Sequence, residues 1–245
     1  MVSWILSVIT LSLVPSVFTA PFVRRSAATV YHECTEPGKI ALTLDDGPFY
    51  RTWELGNMLS DQGVKATFFI NGNNWVDVKA SSVDTSEGVK SYMEVLKHLD
   101  DLGHQIGSHT YEHRELGGLS TEDIHYQMET LSSVIEEAIG KRPAFMRPPA
   151  GSYDDHALEV LGDLGYHVVM WNVDSQDWVT HDLGAEKGEY EAGVGQASGS
   201  YITLQHEVFD QTIDELIPWI VNYGKEKQLE FVTVAECLGF GSGYH

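Results

Sequence analysis

Basic residues are scarce. Fifteen Lys and Arg stand against 36 Asp and Glu, a formal net charge of −21. Nucleic acid and anionic membranes need a basic surface, so the balance argues against both as partners. The acidity reads first as solubility, with attraction for a cationic polymer as the weaker reading. No N-x-[ST] sequon occurs, so N-glycosylation is not expected. No apolar tail follows Gly239, which argues against a lipid anchor. No internal repeat is visible. Only two cysteines are present, Cys34 and Cys237.

What is there is ordinary for a globular protein: 245 residues, 42% hydrophobic and 21% charged. That length supports one substantial core, and one domain is the simplest reading. Residues 1–20 are apolar, uncharged and end in small side chains, the pattern of a secretory signal peptide cleaved after Ala20. A membrane anchor is the alternative, disfavoured by Pro15 and the short apolar run. Arg24-Arg25 read equally well as a dibasic processing site or as solvated arginines in an N-terminal arm over 21–37. In a secreted protein an even cysteine count favours a disulfide, here stapling the two ends of the fold. Two buried thiols are the other reading.

From residue 38 the pattern alternates. Ile40–Leu44, Ala66–Asn71, Gln105–Ser108, Ala144–Arg147, His167–Asn172, Tyr201–Leu204 and Phe231–Val234 read as strands. Thr52–Gln62, Val89–Leu102, a long segment from Ser120 to Gly140, Asp154–Leu164 and Thr212–Lys227 read as helices. Ser120 supplies a cap and an acidic first turn. Strands alternating with helices imply a parallel sheet with helical crossovers. Some seven or eight such units in 38–238 suggest a (β/α) barrel rather than an open sheet, with its site at the C-terminal ends of the strands. Residues 73–88 and 179–200 lack periodicity and read as long loops, and 239–245 as a flexible tail.

Short polar motifs follow the strands. Asp45-Asp46 precede Gly47-Pro48; one carboxylate can bind a metal while its neighbour stays free as a base. His109 and His113 stand four apart, a spacing that on a helical turn puts two imidazoles on one metal. Arg147 precedes two prolines that stiffen the backbone. Asp174 and Asp177-Trp178 follow V-V-M-W-N-V, and Asp174 is the candidate to orient a histidine. His206 ends an apolar strand. Each piece also has a bland reading: D-D-G as a turn, H-x-x-x-H as surface, R-P-P as a rigid corner, Trp178 as core. Jointly they are the inventory for metal-assisted hydrolysis of an amide or ester. The remaining histidines match no such position and read as surface or packing residues.

In order, spacing and wording, A-L-T-L-D-D-G-P, N-G-N-N-W, H-Q-I-G-S-H-T, R-P-P-A-G, V-D-S-Q-D-W and L-Q-H-E resemble the motifs of the polysaccharide deacetylase family. This is carbohydrate esterase family four, the NodB-homology domain, and the likeness is greatest to its fungal secreted chitin deacetylases. It covers about residues 38–235 and implies a distorted (β/α) barrel of about seven strands with the site at its C-terminal face. The resemblance implies that Asp46, His109 and His113 hold one divalent metal, zinc first, cobalt or nickel otherwise. Asp45 would be the base, Arg147 its holder, His206 the acid and Asp174 the partner of His206. Trp178 and Leu204 would wall the acetyl pocket, and the Ala150 backbone N–H would help hold the oxyanion. Two departures stand out: Leu44 replaces a phenylalanine, and Ala150 replaces an aromatic residue, which removes a ring from the site wall. The implied substrate is an N-acetylglucosamine oligomer or polymer, acted on by a secreted monomer without a membrane anchor. Acetylxylan and peptidoglycan are the rival substrates, and an inactive carbohydrate-binding protein is the rival of another class.

Overall fold

The computed structural model describes Met1, residues 26–196 and residues 199–245. Apart from Met1, the expected signal peptide and Arg24-Arg25 lie outside the described residues. Strands β1 (Val30–Tyr31), β2 (Lys39–Asp45), β3 (Ala66–Ile70), β4 (Ser82–Thr85), β5 (Gly88–Ser91) and β6 (Gln105–Ser108) come first. They are followed by β7 (Phe145–Met146), β8 (His167–Val169), β9 (Val173–Asp174), β10 (Ser200–His206) and β11 (Glu230–Phe231). One nine-stranded sheet runs β1-β8-β7-β6-β3-β2-β10-β9, with β11 beside the start of β2, and all of its pairings are parallel. It curls into a distorted, open barrel. Strands β4 and β5 form a separate antiparallel hairpin.

The helices are α1 (Thr52–Asp61), α2 (Tyr92–Asp101), α3 (Thr121–Ile139), α4 (Asp155–Leu164), α5 (Asp177–Thr180), α6 (Leu183–Gln196), α7 (Ile217–Glu226) and α8 (Val234–Cys237). Their starts are chemically marked. Ser91 and Thr233 make capping boxes with Glu94 and Glu236, while Ser120 and Asp154 accept from Asp123 and Ala157 N–H groups. Each satisfies backbone donors that a helix leaves orphaned.

The pleat sorts the side chains of β2. Ile40, Leu42 and Leu44 face the helices and join the main cluster with Leu59, Phe68, Leu96 and Ile135. Ala41 faces inward with Phe69, Phe145, Val169 and Ile202. Towards the strand ends this interior turns polar, since Thr43, Asp45 and Arg147 follow with the same parity. Phe69 is the floor on which that polar layer rests, its ring centroid 4.6 Å from the Arg147 guanidinium carbon. Truncating such a buried ring costs about 3–5 kcal/mol.

Several expectations are corrected here. Residues 88–91 pair as β5, so the helix expected from Val89 starts at Tyr92. The segment expected to be a loop over 179–200 contains α6. Four glycines and several acids weaken its stripe, and Glu186, Tyr190 and Val194, each one turn apart, carry its burial. Residues 26–37 supply β1 and Cys34 rather than a loose arm. Residues 239–245 dock rather than dangle. The Tyr244 hydroxyl accepts the Ile106 N–H at 3.0 Å, and Ala144 N–H donates to Gly243 at 3.0 Å. Cys34 and Cys237 are disulfide-bonded, closing a loop of sequence separation 203.

Candidate active site

Parallel strands in register bring the motifs to one end of the sheet. On neighbouring strands, His206 of β10 sits beside Asp45 of β2. A cleft of about 280 Å³ opens there. Its walls include Asp45, Asp46, His109, His113, Ala150, Trp171, Asp174, Trp178, Leu204, His206 and Phe209. A larger hollow of about 480 Å³ lies at the opposite end of the strands, around Lys39 and Lys65. Both lysines are already ion-paired, with Glu36 and Glu236, and no metal-capable set lines it.

The backbone around the cleft is unusual. Asp46, Thr110, His113, Ala150, Gln176 and His181 all have positive φ without being glycine. Such conformations cost of order 1–3 kcal/mol each and persist where the surroundings enforce them. The enforcing contacts are visible. Asn71 Nδ2 donates to the carbonyls of His109 and Thr110 at 2.6 and 2.8 Å. Gly72 lets the Tyr111 ring close against the backbone where any Cβ would collide. Gly47 is needed for the same reason, because Glu207 fills the space of its Cβ.

His109 and His113 are not on a helical turn, which corrects the reason for their spacing. They lie in an irregular loop after β6, and the left-handed His113, at φ 56°, turns its ring back. Their Nε2 atoms lie 3.4 and 3.1 Å from Asp46 Oδ1. The three ligand atoms fall within 4.8 Å of one another, and among the described residues no other such group of three gathers. His109 Nδ1 donates to the Arg147 carbonyl at 2.8 Å, which leaves Nε2 as the lone-pair nitrogen. Asp46 Oδ1 is buried without a hydrogen-bond partner. A divalent cation fits this set: one carboxylate oxygen and two neutral imidazole nitrogens. Burial opposes the charge on Asp46, but the two imidazoles outweigh it and hold the carboxyl well below its usual range. His113 is raised by the same contact.

Arg147 is fully buried. Nη1 donates to Asp45 Oδ1 at 2.9 Å and to Thr43 Oγ1 at 2.6 Å; Nε and Nη2 donate to the carbonyls of Val169 and Met170. Asp45 Oδ2 lies 3.9 Å from His109 Nε2, on the cleft side. One oxygen of Asp45 is therefore held while the other faces the candidate metal set.

His206 is paired with Asp177, not with Asp174. Asp177 Oδ1 accepts from His206 Nδ1 at 2.8 Å and Oδ2 from the His206 backbone N–H at 2.8 Å. Asp174 ends β9 and turns its Oδ1 onto the Gln176 N–H at 2.8 Å, closing a local turn. Asp177 opens α5 and is fully buried under His206. Three residues of spacing separate the two carboxylates, and only the path of that turn decides between them. Burial works against protonation of His206, but the hydrogen bond and charge of Asp177, aided by Asp45 and Asp46, push it up to about 9.

Ala150, Trp178 and Leu204 all line the cleft, Trp178 more than half exposed. Sequence reasoning attached no role to Asp177, Trp171 or Phe209. Asp177 stood inside a motif already marked, and Phe209 three residues after His206 on a strand-end loop was the available signal. Trp171 read as strand core.

The chain matches the polysaccharide deacetylase family over residues 32–169. It belongs to that family. It is 41% identical over 216 residues to a chitin deacetylase of Pestalotiopsis sp., covering 87% of this chain and 68% of the relative. It is 37% identical over 238 residues to a chitin deacetylase of Colletotrichum lindemuthianum, covering 94% and 92%. The solved structure of the chitin deacetylase from Colletotrichum lindemuthianum superimposes with TM-score 0.81 at 35% identity, over 90% of this chain and 96% of that one. The chain is a hydrolytic polysaccharide deacetylase. Deacetylases of this family use a divalent metal, and Asp46, His109 and His113 are a possible site for it.

Proposed function

We propose that this enzyme removes acetyl groups from chitin or chitooligosaccharides, releasing acetate and leaving glucosamine units. The observation that carries the reading is the placement of Asp45 and His206 side by side above one Asp/His/His cluster. Two fungal relatives named chitin deacetylases support the substrate. Asp46, His109 and His113 are assigned to the metal, zinc in the first instance. When bound there, the cation supplies Lewis-acid polarisation of the acetyl carbonyl and of a water molecule.

The remaining chemistry falls to side chains of this chain. Asp45, held through Oδ1 by Arg147, uses Oδ2 to take a proton from the attacking water. The Ala150 N–H donates to the oxygen on which charge develops. Leu204 and Trp178 enclose the acetyl methyl. His206, carrying its proton and oriented by Asp177, delivers it to the departing sugar nitrogen, so that amine and acetate leave. The enzyme is assigned as a secreted monomer, in keeping with its disulfide. Among the described residues no helix is long and apolar enough to cross a membrane.

The deciding experiment compares acetate release from chitooligosaccharides, acetylxylan and peptidoglycan fragments, with and without chelator. The reading requires chelator-sensitive release that is fastest on chitooligosaccharides. Faster release from either rival would reassign the substrate, and no release from any of the three would leave a carbohydrate-binding protein.

A further inference from the structure

The helix expected over Thr212–Lys227 does not begin as an α-helix. Residues Thr212–Leu216 form a π-turn, closed by the Ile217 N–H on the Thr212 carbonyl, before α7 takes over. Pro218, at the start of α7, has no N–H to give to the preceding turn. Wide turns of this kind recur at functional sites. Here the turn sets a fully buried Thr212 against a fully buried Asp177. Thr212 Oγ1 donates to Asp177 Oδ2 at 2.9 Å.

Asp177 needs that support. It follows Gln176, whose φ of 57° is left-handed, and it begins a helix of only four residues. Its own N–H has a long contact, 3.4 Å, to Ser175 Oγ. The other two donors to its carboxylate, Nδ1 and the backbone N–H, both belong to His206. Without Thr212, the carboxylate of Asp177 would be held by His206 alone.

We propose that Thr212 is a positioning residue for deacetylation: its hydroxyl anchors Asp177 from the helix side and so fixes the His206 ring with Nε2 towards the cleft. The proposal rests on the assignment of His206 as the proton donor. A carboxylate with three donors is held in one rotamer; with the Thr212 donor gone, Oδ2 keeps only the His206 backbone N–H, and the carboxylate can tilt and take the His206 ring with it. Buried hydrogen bonds to a charged group are the strong class, and losing one leaves acceptor capacity unmet in a dry site.

The test uses the metal-loaded enzyme and an N-acetylglucosamine oligomer. Thr212→Val keeps the shape and removes the donor; Thr212→Ser keeps the donor. Thr212→Val is expected to lower kcat roughly 10- to 100-fold, the reach of one charge-assisted bond, with KM within about two-fold. Metal content should not change. In parallel, ¹⁵N-histidine-labelled protein should show a low-field Nδ1–H resonance that is lost in His206→Ala. That resonance should broaden or move in Thr212→Val and return, with kcat, in Thr212→Ser. If Thr212→Val fails to fold, Thr212→Cys, of similar size and a far weaker donor, takes its place in both measurements. Wild-type kcat and an unshifted resonance in a folded donor-less variant would overturn the proposal, as would a serine variant as impaired as the valine one. Full turnover in His206→Ala would instead remove the proton-donor assignment, while the ring resonance would still report whether Thr212 holds the pair.

Discussion

Arg147 and Asp45 form a buried ion pair: Nη1 lies 2.9 Å from Oδ1, with Arg147 at 0% and Asp45 at 2% exposure. The cost of burying the guanidinium is met by four acceptors, of which Asp45 is the only charged one. Asp45→Asn is therefore expected to act twice. Turnover should fall by about 10²–10⁴-fold, the usual contribution of general acid–base catalysis. Stability should fall as well, by up to about 3–5 kcal/mol, because an arginine is left buried without its counter-charge. Metal should still bind. Parallel metal titration and thermal melts check all three, and failure to bind metal would move the ligand role from Asp46 to Asp45.

Metal removal is expected to stop the reaction. Chelation should abolish acetate release, and zinc or cobalt should restore it. His113→Ala should lose both metal and turnover, since the imidazole supplies one of three gathered ligand atoms. Full turnover by a protein shown to be metal-free would remove the mechanism.

Glu207 makes stability pH-dependent. It is buried, Oε2 accepts from Thr52 Oγ1 at 2.6 Å, and Oε1 has no partner. Burial pushes its carboxyl up to about 8 from 4.5; the hydrogen bond from Thr52 opposes it, and the charges of Asp46 and Asp45 each raise it by less. The folded state thus binds this proton more tightly than the unfolded chain. Its contribution is fully present below pH 4.5 and is lost as pH rises through about 8. Glu207→Gln, neutral at every pH, should flatten melting temperature between pH 5 and 8. At pH 7 it should be more stable than the parent by on the order of 3 kcal/mol, from the pKa difference. Identical pH dependence in parent and variant would show that Glu207 stays ionised.

The Cys34–Cys237 bridge joins the segment before β2 to α8, the helix after β11. Replacing both with serine should cost about 2–5 kcal/mol in a thermal or denaturant melt. Mass analysis after alkylation of the native protein should find no modified thiol.

Ala150 sits at φ 53°, a conformation closed to proline and open to glycine. Ala150→Gly should leave kcat nearly unchanged, because the backbone N–H remains. Ala150→Tyr should narrow the cleft and change the preference among oligomer lengths, read as a change in relative kcat/KM, with kcat on the best substrate altered only a few-fold. A collapse of kcat in both would show that the side chain, not the amide, matters.

Periodicity and strand-end motifs made the strand–helix alternation and the residues that gather at the cleft legible in the sequence alone. These features are local: apolar runs such as T-F-F-I declare strands, and residues at strand ends must emerge at one face of a parallel sheet. Helix α6 was illegible because its glycines and acids leave only a thin apolar stripe. The convergence of His109 and His113 came from left-handed loop backbone, not from helical spacing. The choice of Asp177 over Asp174 as partner of His206, the hydroxyl that Thr212 brings to it, and the space Gly47 leaves for Glu207 were decided only by tertiary structure. Each joins residues far apart in the chain or hinges on one turn's path, and hydrogen-bond geometry within a few tenths of an ångström does not follow from residue type or spacing.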